Sequence, residues 1–66
     1  MMYTKEKFLQ LLNKVKTNKL EDSDQRMVED FEDIYENYIL QGREVVLLIY
    51  MSRKLEKILE KVNLNP

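Results

Sequence analysis

The densest chemistry in this 66-residue chain lies in Val28–Glu36, "VEDFEDIYE", where five carboxylates stand within nine positions. Glu-Asp recurs at Glu29-Asp30 and Glu32-Asp33. On a helix, Glu29, Asp33 and Glu36 share one face, with Asp30 beside Asp33. Hard oxygen donors so spaced can hold Mg²⁺ for hydrolytic chemistry. Such a site needs a second carboxylate-bearing helix opposite, and the later sequence offers only Glu44, Glu56 and Glu60. The expectation is therefore a solvated acidic face, partly neutralised by lysines of the preceding helix, with no metal and no cofactor. A second row, Lys54, Lys57 and Lys61, has the i, i+3, i+7 spacing that could meet phosphates. Glu56 and Glu60 interleave with it, so ion pairs along the helix are the expected use and nucleic acid is not an expected partner.

Other chemistries are excluded outright. The chain has no cysteine, hence no disulfide, thiolate nucleophile or Cys-based metal site. It has no histidine, the commonest general base and metal ligand. Its one glycine, Gly42, cannot build a phosphate-binding loop, which needs several. A net charge of −1 creates no overall field toward nucleic acid or anionic lipid. The charge is unevenly placed, however. Residues 1–20 hold five lysines against Glu6, residues 21–36 hold eight acids against Arg26, and residues 37–66 hold five bases against three acids. Basic flanks around an acidic middle suit helices that pack on one another by complementary charge, or an acidic surface offered to a basic partner.

These residues must be positioned by short elements. Thr4 is a helix N-cap candidate, with Tyr3 and Phe8 at hydrophobic-staple positions. Phe8, Leu11, Leu12 and Val15 then mark one helical face. Asp22 or Ser23 opens a second helix, where Asp22 with Gln25 approximates a capping box. Its inner face runs through Met27, Val28, Phe31, Ile34, Tyr35, Tyr38 and Gln41, and Gly42 stands where a left-handed C-cap is expected. The spacing predicts an all-α fold, a small three-helix bundle with helices over about 4–18, 23–41 and 43–63. Helices two and three form an antiparallel hairpin, and residues 1–66 make a single helical domain. A domain this small buries only about 60% of the surface its unfolded chain exposes, so a partner or oligomer would add stability.

The third helix raises the main question. Seven apolar residues run unbroken from Val45 to Met51. Leu55, Ile58, Leu59 and Val62 make one stripe, which extends backward through Met51, Ser52, Leu48 and Val45, but Val46, Ile49 and Tyr50 lie off it. A helix apolar nearly all round is normally buried on more than one side. Either helix one covers that second face, or Val46, Ile49 and Tyr50 stay uncovered as an interaction surface for a partner or a second copy. The run is shorter than the roughly 20 residues a bilayer needs. No apolar leader with a small-residue cleavage site opens the chain, so cytoplasmic residence without membrane attachment is expected.

One resemblance bears on function. Ten residues after Gly42 comes "SRKLE", with Ser52, Leu55 and Glu56. Residues 28–62 resemble the small aspartyl-phosphate phosphatases of sporulating bacilli, helix hairpins with a Ser-x-x-Leu-Asp signature about ten residues after a glycine. The resemblance implies that Ser52 and Glu56 are signature positions on a hairpin that docks to a response regulator. Here glutamate replaces the family's aspartate, and Arg53 replaces the glutamine that commonly follows its serine. A carboxylate one methylene further out misplaces an in-line phosphoryl attack. The reading is therefore a non-enzymatic protein-binding regulator or inhibitor that occludes its partner, of the kind found as accessory proteins in Gram-positive bacteria or their phages. The alternatives are a response-regulator-binding, phosphatase-like hairpin and a self-assembling structural subunit such as a dimer.

Overall fold

Thr4 starts the first helix as its side chain predicts. Its backbone is extended and its Oγ1 accepts a hydrogen bond from the Lys7 N–H at 3.1 Å, satisfying one of the donors a helix start leaves open. In the computed structural model, which describes residues 3–64, this opens α1 (Lys5–Lys16). The helix stops two residues short of the predicted 18. The hydroxyl of Thr17 and the amide of Asn18 both donate to the Lys14 carbonyl, at 2.7 and 2.9 Å, and so replace the next turn.

The second helix, α2 (Asp22–Asn37), begins one residue before the predicted position and ends four residues before it. Glu21 is its N-cap and makes no side-chain cap, so the Asp22/Gln25 capping box does not form; Gln25 instead donates to Glu29 at 3.1 Å. At the other end Tyr38 leaves the helical region and Ile39–Gln41 form a 3-10 turn. The Gln41 side chain donates to the freed Glu36 carbonyl at 3.1 Å. This break turns Ile39 fully into the core and leaves Tyr38 exposed, where the continuous helix predicted the reverse. Gly42 does take the left-handed conformation, with φ of 77°.

The third helix, α3 (Leu47–Leu64), starts four residues later than predicted. Glu44 is also left-handed, with φ of 54°, so the chain cannot continue as one rod from residue 43. A side chain held there costs about 1–2 kcal/mol. The N–H groups of Leu47, Leu48 and Ile49 bond three residues back, to Glu44, Val45 and Val46, and wind the turn tightly into the helix.

Asp24 meets Lys61 at one end of the α2–α3 pair and Phe31 meets Tyr50 at the other, so the two helices run antiparallel. The backbones of α1 and α3 lie close together over more of their length than those of α2 and α3. One core results. Phe8 and Val15 of α1, Val28 of α2, Ile39 of the 3-10 turn and Leu55 of α3 are fully enclosed, and the Phe8 and Tyr35 rings stack with centroids 5.3 Å apart.

Candidate functional site

The 100° step of the helix puts Leu48, Met51, Leu55 and Ile58 inward and turns Ile49 and Tyr50 away from them. α1 packs on the inner stripe, and the second face stays largely open. Val46 is 72% exposed, Ile49 46% and Tyr50 54%. Together with Arg53, Lys54 and Lys57 they line an open depression of about 540 Å³. Its centre is apolar and its rim is basic, and no acid lines it.

The aromatic at its centre is held in place. The Tyr50 ring meets the edge of Phe31 at 6.3 Å, and the Lys54 ammonium lies 5.5 Å from the Tyr50 centroid. Both contacts favour this position of the ring without burying it.

The acidic residues are distributed differently from a single charged stripe. Glu32 pairs with Lys16 of α1 at 2.8 Å, and Glu29 accepts from Gln25. Asp30, Asp33 and Glu36 are exposed and make no ion pair among the described residues. No three acidic side chains among the described residues stand close enough to hold a metal ion. Charge-complementary packing does occur, at Lys16–Glu32 and at Lys61, which reaches Asp24 at 2.6 Å and Glu21 at 3.6 Å.

The two residues singled out by the phosphatase resemblance sit inward. Ser52 is fully buried, and its Oγ has no hydrogen-bond partner among the described residues. Glu56 is half-buried and accepts a 2.5 Å hydrogen bond from the Tyr3 hydroxyl, which ties the start of the chain to α3. A hydroxyl enclosed in this way cannot reach a phosphoryl group on another protein. No helix among the described residues is long and apolar enough to cross a membrane.

Sequence reasoning missed two interactions, Tyr3–Glu56 and Asp24–Lys61, because their partners lie 53 and 37 positions apart. Both show in proton affinity. The bond to Glu56, helped by partial burial and the Glu56 charge, holds the Tyr3 hydroxyl above the ordinary tyrosine range, and Arg53 opposes this. The bond to Asp24 likewise raises the Lys61 ammonium, against the effect of burial. Both groups bind their proton more tightly when folded, so the stability they contribute is complete below about pH 10 and is lost as pH rises through the folded values. Thermal melts followed by circular dichroism should show the midpoint falling above about pH 10. Tyr3→Phe should lower the midpoint at neutral pH and shrink that alkaline fall; an unchanged pH profile would mean the Tyr3–Glu56 bond contributes nothing.

No protein-family model, no curated protein and no solved structure matches this chain.

Proposed function

We propose that the chain is a small protein-binding regulator that blocks its partner by covering it with the exposed face of α3. The observation that carries this is the exposure of Val46, Ile49 and Tyr50 side by side within a basic rim. A small chain that leaves three large apolar side chains uncovered forgoes about 25 cal/mol for every Å² of apolar surface left in water. Contiguous surface of this kind marks interaction sites, and interface centres favour tyrosine. The partner surface that fits has an apolar centre and acidic surroundings. This differs from the basic partner that the acidic face of α2 would attract, and the aromatic anchor favours the α3 face. Its setting is the cytoplasm, where a chain without cysteines depends on no oxidising step.

The phosphatase-like alternative needs Ser52 and Glu56 at the surface. Ser52 is enclosed and Glu56 is engaged by Tyr3, so the proposed activity is binding alone.

Immobilised chain at low micromolar concentration, exposed to lysate of its own host, should retain a defined protein. Tyr50→Ala and Ile49→Asp should each weaken that capture, by about 30-fold if the residue is a central anchor worth about 2 kcal/mol. Asp30→Lys with Asp33→Lys should leave it unchanged. The reverse outcome, loss with the α2 variants and none with the α3 variants, would transfer the function to the acidic face.

A further inference from the structure

The residues lining the α3 depression stand at positions 46, 49, 50, 53, 54 and 57, the i, i+3, i+4, i+7, i+8, i+11 row of one helical face. Such a row is what a helix turns toward a neighbouring helix, and here it runs about 16 Å, some three turns. The inner row, Leu48, Met51, Leu55 and Ile58, is buried in the core that α1 and α2 complete. The outer row is divided along its length. Val46, Ile49 and Tyr50 form an apolar first half, and Arg53, Lys54 and Lys57 form a basic second half. None of these three cations makes an ion pair among the described residues. Asp24, which lines the adjoining depression with Lys54 and Lys57, is held by Lys61 at 2.6 Å.

From this register and division we infer that the occupant of the α3 face is one amphipathic helix of the partner protein. It is apolar on one side over about three turns, and its acids lie toward the end that meets Arg53, Lys54 and Lys57. The inference rests on reading the α3 face as a docking surface and names the element that docks there. The backbone of α3 is spent on its own helix, so an extended segment laid along the row would leave its N–H and C=O groups without partners. A helix satisfies its own backbone and brings side chains at the matching spacing. Three cations without counter-charge select acids at one end and reject bases. A second copy offers no such helix, because Val28, Phe31 and Tyr35 of its acidic α2 are buried in its own core. Seated on α3, the partner's helix becomes the fourth member of a bundle and covers Val46, Ile49 and Tyr50 together.

The test uses a synthetic peptide of about 14 residues, held helical by a side-chain cross-link, with apolar residues at i, i+3, i+4 and i+7 and glutamates at one end. The chain has no tryptophan, so one tryptophan on the peptide's apolar side reports its own burial. Titration with the intact chain should give a saturable blue shift. The same peptide with lysine for each glutamate should bind at least about 10-fold more weakly. Lys54→Glu with Lys57→Glu, checked for wild-type helical signal, should reverse that order, and Ile49→Asp should abolish binding. If Ile49→Asp fails to fold, Val46→Asp takes its place. No saturable signal up to about 500 μM overturns the inference, as does equal binding of the lysine peptide. Equal binding of an acidic peptide with a central proline and no cross-link also overturns it, since the occupant then need not be helical. Binding to phosphatidylglycerol vesicles in place of the peptide would give the face to a membrane instead. Self-association without peptide, lost in Ile49→Asp, would give it to a second copy. If the peptides fail while capture from lysate still depends on Tyr50, the helix is overturned and the docking face stands. If that dependence on Tyr50 is absent too, the docking reading falls with it.

Discussion

Replacing Phe8 by alanine unfolds this protein. The ring is fully enclosed in the first turns of α1 and stacks on Tyr35, so its removal opens a cavity where α1 meets α2. Buried Phe→Ala substitutions cost about 3–5 kcal/mol. A core in a chain below about 70 residues rarely supplies more than that in total. The expected result at 25 °C is loss of most of the helical circular dichroism signal and of the cooperative melt. Leu9→Ala, one position along but on the exposed side, should change stability by no more than about 0.5 kcal/mol. A Phe8→Ala chain that still melts cooperatively would show that α1 is an accessory to the core.

Ser52→Ala acts in the opposite direction. The serine is wholly enclosed and its hydroxyl has no partner among the described residues, an arrangement that costs about 1–3 kcal/mol. Alanine removes the hydroxyl, loses little volume and is the better helix former. The melting midpoint should rise by about 4–8 °C for each kcal/mol gained in a domain of this size. A drop would mean that the packing of the hydroxyl outweighs the cost of its missing bond. The same variant bears on why serine stands there. If partner capture disappears while stability rises, Ser52 is retained for function at the expense of stability. If capture is unaffected, the match to the phosphatase signature has no bearing on what this chain binds.

Local rules could be read directly from the residues. The Thr4 cap, the α1 face of Phe8, Leu11, Leu12 and Val15, and the left-handed Gly42 each depend on neighbours within a turn, and each is found as expected. The end of α2 was not legible, because no proline or glycine marks Asn37 or Tyr38. That break is held by burial of Ile39 and by the Gln41 bond to the Glu36 carbonyl, and both depend on the finished packing. The start of α3 failed for a related reason: Glu44 favours a helix by composition, yet the reversal after Gly42 holds it left-handed. The apolar part of the candidate site followed from the 100° geometry, which sets Val46, Ile49 and Tyr50 apart. Its basic rim did not, since the lysine row divides in space: Lys54 and Lys57 border the face while Lys61 turns to Asp24.

The close packing of α1 on α3 also carries a timetable. α1 packs on α3, which is synthesised after α2, and Tyr3 finds Glu56 only after some fifty further residues exist. At about 5–20 residues per second, the greasy side of α1 waits roughly 2.5–10 s for the helix that shields it. Residues 1–20 carry five lysines against Glu6, a net positive charge that disfavours contact between nascent copies during that interval. The α1–α3 interface thus closes only once α3 has been made.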